Sequence, residues 1–243
     1  YYGTALLIPA SIALILLTIR GSYYAFESYS GLRGHKGYAL AYGLTGLFIP
    51  ASLSVVLTIS EGGFVTMNEI GPQLDYDALF TSPLTWSIVI LSVTAVLYIS
   101  SVFLTWYANK AGDGAASQLM RKYALIWSAP LMISAIGIII ELRRTENWHY
   151  ENMLSISWLF ILSAILFFVT TWFIWKKRNY GLAVIIMILQ FATAFFAYGI
   201  SHYPYLLYPY LTIHDSFTSQ TMAISIVVAF IAGLCLLIPS IYL

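Results

Sequence analysis

Seven long apolar stretches alternate with polar segments along the chain. Each stretch approaches the ~20 apolar residues that an α-helix needs to cross a bilayer, and each is bounded by charged residues, Gly or Pro. We therefore predict an all-α fold, a polytopic transmembrane helix bundle with about seven spans. The predicted spans cover approximately residues 2–19, 39–59, 85–107, 123–140, 153–175, 180–198 and 221–243. No polar segment is typical of a separate soluble domain, so residues 1–243 are predicted to form a single transmembrane domain.

The composition supports a membrane location. Of the 243 residues, 60% are hydrophobic and 9% are charged, whereas a soluble domain usually carries roughly 25% charged residues. The formal net charge of +1 gives no indication of nucleic-acid binding. The one cysteine, Cys235, cannot form an internal disulfide and is predicted, within its apolar run, to be a buried and inert thiol. The chain begins at Tyr1 inside an apolar stretch, so we expect further chain to precede it.

The charged residues divide between alternate polar segments. Nine of the 11 basic residues fall on one side of the predicted bundle: Arg20, Arg33, Lys36, Lys110, Arg121, Lys122, Lys176, Lys177 and Arg178. The other side carries Arg143 and Arg144 together with eight acids: Glu61, Glu69, Asp75, Asp77, Glu141, Glu146, Glu151 and Asp215. The positive-inside rule assigns the basic side to the cytoplasm. The last residue is therefore expected on the cytoplasmic side.

Few residues suited to chemistry lie inside the predicted spans. No Asp, Glu, Lys, Arg or His falls near the middle of a span, where an ion-coupled carrier usually needs one, and Gln190 there is predicted to bridge helices. His35 lies in a predicted cytoplasmic segment, and His149, His202 and His214 lie in outer segments. His202 is the one candidate haem ligand, although an interfacial, hydrogen-bonding histidine is the favoured interpretation. Neither zinc-ligand spacing nor a catalytic triad pattern is present, so no metal-binding and no catalytic residue is predicted.

A first polar cluster lies at the predicted inner end of span one, in residues 18–29. Arg20 sits at the membrane boundary, and Glu27 follows seven residues later, on the same helix face if the helix continues. An acid beside an arginine at this boundary is suited to collecting protons from the cytoplasm. A topology-setting arginine with a solvated acid explains the same pattern.

A second cluster follows span six, and its candidate residues are Tyr198, His202, Tyr203, Pro204 and Tyr205. Aromatic-proline repeats before a polar turn predict a rigid loop on the outer face, because proline fixes the backbone and cannot extend a helix. Such a loop would dock a partner or cover a lipid-soluble ligand. A purely architectural loop is the alternative.

At these two clusters the sequence resembles subunit II of cytochrome bd-type quinol oxidases. The first is similar to that family's apolar span followed by an Arg-Gly pair and an aromatic-acid pair, here Arg20-Gly21 and Phe26-Glu27, although the better-known members place the acid five residues after the arginine. The second is similar to the family motif Gly-x-x-x-(Tyr/Phe)-Pro-Tyr, here Gly199 to Tyr205, followed by Thr212 and Ser216. Residues 1–9 fit as well, and the likeness is greatest to the Gram-positive branch that uses menaquinol.

The resemblance implies one half of a larger enzyme. Subunit II pairs with a haem-bearing subunit I, which holds haem b, haem d and the quinol-binding loop. Together they oxidise menaquinol or ubiquinol and reduce oxygen to water. This chain is then expected to bind no cofactor itself and to contribute a cytoplasmic proton route, with Arg20 and Glu27 as its candidate residues. Family members begin with about two more spans, which gives about nine spans in the intact subunit.

The resemblance further implies a bacterial plasma-membrane location, with the lipid bilayer around the bundle and room for a small accessory membrane subunit. Two other functions remain open from the residues alone. One is a secondary transporter or small-solute channel, against which the lack of mid-depth charge counts. The other is a membrane scaffold without chemistry of its own, which composition does not distinguish from an oxidase subunit.

Overall fold

The computed structural model describes residues 2–29, 36–68, 71–145, 148–215 and 219–242. Within these ranges the chain forms nine helices and two short hairpins. The helices are α1 (Tyr2–Tyr29), α2 (Lys36–Ser60), α3 (Tyr76–Thr81), α4 (Pro83–Lys110), α5 (Gly114–Arg144), α6 (Trp148–Ser155), α7 (Ser157–Trp175), α8 (Tyr180–His202) and α9 (Gln220–Tyr242). The strands are β1 (Val65–Asn68), β2 (Gly71–Leu74), β3 (Tyr205–Leu207) and β4 (Leu211–Thr212), paired antiparallel as β1–β2 and β3–β4.

Six of the described helices, α1, α2, α4, α5, α7 and α8, are long and apolar enough to cross a membrane, and α9 contains a shorter apolar segment, Gln220–Leu236. The chain is therefore an all-α, polytopic membrane helix bundle, as predicted. The helices extend further than the apolar runs suggested: α1 continues to Tyr29, and α5 begins at Gly114. The predicted span 153–175 is divided between α6 and α7, which are separated at Ile156.

Helices that follow one another in the sequence pack as pairs. The most extensive contacts join α4 with α5, α1 with α2, and α7 with α8, and α4 then connects the pairs through α2 and α8. The largest buried core lies among α4, α5, α7 and α8. It consists of Tyr98, Val102, Ala124, Leu131, Phe167, Ile174, Ala183 and Met187. Many other large apolar side chains are exposed on the chain's own surface, as expected for helices that face lipid or a partner.

Two predictions about individual residues change in the structure. Cys235 is exposed on the surface of α9, so the prediction of a thiol buried within this chain is wrong. Gln190 is buried, and its backbone carbonyl accepts a hydrogen bond of 3.2 Å from the Ser163 hydroxyl, which links α8 to α7. The link thus runs through the main chain. The side-chain oxygen of Gln190 has no hydrogen-bond partner among the described residues.

Both hairpins and the short helices α3 and α6 lie where α2 and α8 end, and we call this region the α2/α8 end. A small apolar cluster holds it together, formed by Ile59, Phe64, Val65, Leu79 and Leu207. The Tyr208 amide donates a hydrogen bond of 3.1 Å to the Ser60 carbonyl, so the loop after β3 is fixed to the last turn of α2. Segments that are distant in sequence are thereby brought to one end of the bundle.

Candidate functional site

A buried carboxylate, that of Glu61, forms the centre of the candidate site. Glu61 directly follows α2, and its amide donates to the carbonyls of Leu57 and Thr58 at 3.3 and 3.2 Å, which continues the helical turn by one residue. Gly62 and Gly63 then adopt positive φ values of 90° and 83°, a conformation that suits glycine because it lacks a Cβ. The turn leaves Glu61 only 2% exposed.

His149, in the first turn of α6, binds this carboxylate. Its Nδ1 lies 2.9 Å from both Oε1 and Oε2 of Glu61, and the residue is 0% exposed. Its Nε2 lies 2.7 Å from the Ser201 hydroxyl oxygen in α8. Both ring nitrogens are therefore engaged, and the imidazole is fixed between the end of α2 and the end of α8.

Two further side chains complete a hydrogen-bond network around this pair. The Tyr198 hydroxyl donates to Oε1 of Glu61 at 2.9 Å, and the Ser201 hydroxyl donates to the Tyr198 carbonyl at 2.9 Å. Asn152 of α6 donates to the Ser201 carbonyl at 3.0 Å. Because buried polar groups are costly unless they are hydrogen-bonded, the network offsets the burial of a carboxylate at this position.

His202, the last residue of α8, faces the same carboxylate at a longer distance. Its Nδ1 lies 3.8 Å from Oε1 of Glu61, and the residue is 9% exposed. Neither ring nitrogen has a hydrogen-bond partner among the described residues. Within the described part of the chain, His202 thus makes no hydrogen bond of the kind predicted for an interfacial histidine. Its ring instead packs against the rings of Tyr198, His149 and Trp148, with centroids 5.4, 5.1 and 5.2 Å away.

Trp148 covers the cluster on one side. Its ring stacks on His149 at 5.4 Å and on Tyr208 at 4.9 Å, and it meets Tyr205 edge-on at 4.9 Å. Its indole N–H donates to the Glu61 carbonyl at 3.4 Å. The aromatic cover keeps the carboxylate and the two imidazoles in a low-dielectric environment, where charge interactions are stronger than in water.

The arrangement is suited to holding a cation. Glu61, His149 and His202 each offer one ligand atom, and these atoms lie within 4.8 Å of one another. Carboxylate oxygen with two imidazole nitrogens is a donor set that divalent transition metals accept. We name Glu61, His149 and His202 together the carboxylate–imidazole cluster.

The structure distributes the residues of the sequence predictions between both ends of the bundle. Arg20 belongs to α1, and its guanidinium carbon lies 4.2 Å from the ring centre of Tyr42 in α2. Glu27 falls within α1, but its side chain lies outside the described part of the structure. Tyr198 and His202 belong to the site described above.

The remaining predicted loop residues lie beside the site. Tyr203 and Pro204 are joined by a cis peptide bond, and the Tyr203 hydroxyl lies 3.0 Å from Nε2 of His214. Tyr205 begins β3 and touches Trp148.

Sequence reasoning missed Glu61 and His149 as site residues. Glu61 was one of eight acids on the predicted outer side, and His149 was one of three histidines there. The signal available was their shared side: the ends of the second and sixth spans and the segment after the fourth all belonged to it. Nothing in the sequence indicated which acid and which histidines would meet.

Taken together, a polytopic helix bundle with a buried carboxylate–imidazole cluster at one end defines a membrane protein whose polar site lies at the bundle's end and not at mid-depth. Residues 1–243 match the family model of cytochrome bd terminal oxidase subunit II, and the chain belongs to that family. It is therefore a subunit of a cytochrome bd oxidase complex, an oxidoreductase.

Two relatives show how far the similarity extends. The chain is 30% identical over 254 residues to a putative cytochrome bd menaquinol oxidase subunit II of Bacillus subtilis (strain 168), covering 99% of this chain and 71% of that protein. A solved structure of bd oxidase from Geobacillus thermodenitrificans contains a chain with 60% sequence identity and a TM-score of 0.85. The match covers 100% of this chain and 73% of that chain.

Proposed function

We propose that this chain is the non-haem membrane subunit of a menaquinol oxidase, in which a larger haem-bearing partner oxidises the quinol and reduces oxygen to water. The observation that carries the proposal is the similarity along the whole chain to a bd oxidase chain, at 60% identity and a TM-score of 0.85. The name of the Bacillus subtilis relative supports menaquinol as the substrate of the complex.

The core of the bundle favours placing haem b and haem d in the partner. The buried cluster among α4, α5, α7 and α8 contains Met187 but neither His nor Cys, whereas haem iron is usually held by a His or a Cys, with Met as a second ligand in some proteins. Among the described histidines, His149 and His202 lie at the α2/α8 end, and His149 is engaged by Glu61 and Ser201. The wide apolar surface of the described helices leaves room for a partner bundle.

Purification through a tag on this chain in mild detergent tests the proposal. We expect a larger membrane subunit to co-purify, haem bands in a reduced-minus-oxidised spectrum, and oxygen consumption with a menaquinol analogue. A colourless single polypeptide would contradict the proposal.

A cytoplasmic proton route at Arg20 and Glu27 is part of the same proposal. Support comes from α1, which continues to Tyr29 and so places the two residues seven positions apart on one helix. Replacing Glu27 by Gln should lower oxygen consumption several-fold with haem content unchanged. Glu151→Gln, in α6 at the opposite end, is the matched control and should keep wild-type turnover. Wild-type turnover in Glu27→Gln would assign Glu27 to the solvated surface.

The proposed orientation in a bacterial plasma membrane puts the basic end of the bundle and the last residue in the cytoplasm. Labelling of single cysteines in whole cells tests this, because Cys235 is the chain's one cysteine and Cys235→Ser removes it. In that background, an impermeant maleimide should label Glu151→Cys and should not label Lys176→Cys. The reverse labelling pattern would contradict the proposed orientation.

A further inference from the structure

We propose that the carboxylate–imidazole cluster is a metal site, in which Glu61, His149 and His202 bind a divalent transition-metal ion of the Zn²⁺ type. The sequence predicted no metal because its ligands follow no short spacing. His149 is 88 residues from Glu61 in the chain, so only the folded bundle assembles the donor set.

The distances between donor atoms suit such an ion. Ligands ~2.0–2.1 Å from a tetrahedral Zn²⁺ lie ~3.3 Å from one another. Oε1 of Glu61 lies 2.9 Å from Nδ1 of His149 and 3.8 Å from Nδ1 of His202. These two values lie on either side of the tetrahedral edge, and all three ligand atoms lie within 4.8 Å of one another, so small side-chain movements suffice for them to share one ion.

The surroundings of His149 match those of a metal-bound imidazole. Such a ring normally coordinates through one nitrogen and donates its other N–H to a fixed acceptor. Here Nδ1 points at the cluster and Nε2 lies 2.7 Å from the Ser201 hydroxyl oxygen. Because the Ser201 hydroxyl donates onward to the Tyr198 carbonyl, its oxygen can accept from Nε2–H. In the metal-bound form, coordination of the ion by Nδ1 would replace the present contact of Nδ1 with the Glu61 carboxylate, 2.9 Å away.

The Glu61 carboxylate is oriented in the same way. The Tyr198 hydroxyl donates to its Oε1 at 2.9 Å, and the turn that carries it is tied to Trp148 through the Glu61 carbonyl. A ligand held by a second layer of hydrogen bonds is less free to rotate away, which favours metal affinity.

His202 provides an independent reason to expect a ligand. It is nine-tenths buried, yet both of its ring nitrogens are without a hydrogen-bond partner among the described residues. A buried polar atom without a partner costs about 1–3 kcal/mol. A metal ion bound to the Nδ1 of His202 would give this nitrogen the partner that the surrounding aromatic rings do not provide.

The ion would connect three parts of the chain: the end of α2, the first turn of α6 and the end of α8. One carboxylate and two neutral imidazoles leave a Zn²⁺ site with one positive charge, at a position sealed by Trp148 and Tyr198. Because the ion would tie three separate segments together, its loss should show in metal content and thermal stability before it shows in turnover.

Metal analysis of the intact oxidase tests the site. The purified complex is loaded with Zn²⁺, dialysed against a weak chelator and analysed by elemental mass spectrometry. We expect about one zinc more per wild-type complex than per His202→Phe complex. Phe keeps the ring packing, and the substitution removes no hydrogen bond between His202 and any other described residue. The matched control is His214→Phe, which removes an exposed histidine at the same end of the bundle and should retain the zinc.

Ser201→Ala gives a graded result, because it keeps all three ligands and removes the acceptor of His149 together with one hydrogen bond to the Tyr198 carbonyl. Zinc affinity should fall by about 10- to 100-fold. In addition, X-ray absorption at the zinc edge should show a first shell of nitrogen and oxygen, with imidazole scattering, in the loaded wild-type complex. His202→Phe should lack this signal. Equal zinc content in wild type, His202→Phe and His214→Phe would overturn the proposal, as would a sulfur shell or a shell without imidazole.

Discussion

The two ends of the bundle hold their polar groups in different ways. At the α2/α8 end, Glu61 is bound by groups 88 and 137 residues away in the sequence, and it is buried. At the opposite end, cationic side chains lie over aromatic rings of their own or neighbouring helices. Lys110 lies 5.5 Å from the Trp106 ring centre, and Lys176 lies 4.8 Å from that of Trp175.

This difference shows that the charge of a residue does not by itself determine how much the residue contributes to the stability of the bundle. Long cationic side chains at a membrane boundary keep their charge in water and cover apolar surface with their stems, so each acts almost independently. A buried carboxylate has no such freedom, and its neighbours depend on it. Substitutions should therefore be costly at the α2/α8 end and mild at the opposite end, and the following predictions test this in order of expected effect.

Glu61→Ala should have the largest effect. It removes the acceptor shared by His149 and Tyr198, and breaking a buried charged pair typically costs about 3–5 kcal/mol. The expected result is a strong drop in the midpoint of thermal unfolding of the purified complex, followed by tryptophan fluorescence. The matched control is Glu141→Ala, whose 3.8 Å contact with the exposed Arg144 is worth about 1 kcal/mol or less. Equal midpoints for the two variants would show that burial of Glu61 adds nothing.

Gly62→Ala should follow in size, with Gly63→Ala as its control. Both glycines have positive φ, so both substitutions incur a backbone cost of about 1–2 kcal/mol. A Cβ at Gly62 would lie 2.7 Å from the Tyr208 carbonyl oxygen, whereas one at Gly63 meets nothing within 4 Å. The difference in unfolding midpoints thus isolates the contact with Tyr208, expected at about 1–3 kcal/mol. If the two variants unfold together, the loop after β3 moves freely away from α2.

These two predictions depend on contacts that the sequence could not reveal. The fold class could be predicted, because lipid-exposed helices require long apolar runs and the runs are visible in the chain. The hairpin β1–β2 was missed, since four-residue strands in a polar segment have no clear periodicity. Glu61, His149 and His202 could be assigned to one side of the membrane. Their meeting depends on how α2, α6 and α8 pack, which no local pattern encodes.

The ends of the helices also could not be predicted from hydropathy. Asp113 caps α5 by accepting a hydrogen bond from the Ala116 amide, so the helix begins nine residues before the apolar run at 123. Capping residues can be recognised in a sequence. The first turns of this helix are polar, however, so hydropathy does not reveal that the helix begins there.

Gly46→Ala probes the opposite end and should have a smaller effect. A Cβ at Gly46 would collide with the Arg20 guanidinium, which must then leave the Tyr42 ring and its carbonyl. The lost cation–π contact costs about 0.5–2 kcal/mol, partly offset by the gain of about 0.5–1 kcal/mol from replacing a helical glycine. Gly43→Ala meets nothing within 4 Å and should be neutral or stabilising. A Gly46→Ala midpoint equal to that of Gly43→Ala would show that Arg20 finds an equivalent position at no cost.

Asp215→Asn should have the smallest effect, although Asp215 lies at the α2/α8 end. The Thr212 amide and hydroxyl donate to its Oδ2 at 2.7 and 2.8 Å, and these hydrogen bonds lower the pKa of the Asp215 carboxyl below its ordinary value. A lowered pKa means that the stabilisation is present above the ordinary carboxyl pKa and is lost as the pH falls through the lowered value. Asp215 is fully exposed, so solvent screening keeps the contribution small.

The unfolding midpoint of Asp215→Asn should therefore lie slightly below that of the wild type at pH 7, and the gap should close as the buffer is acidified below the ordinary carboxyl range. Glu61→Ala at pH 7 supplies the scale for comparison. If Asp215→Asn lowered the unfolding midpoint as much as Glu61→Ala, the contribution of a carboxylate to stability would depend on its position at the α2/α8 end. A small difference in midpoint from the wild type that disappears in acid would show that this contribution depends on burial. The two acids lie at the same end of the bundle and differ in their exposure to water.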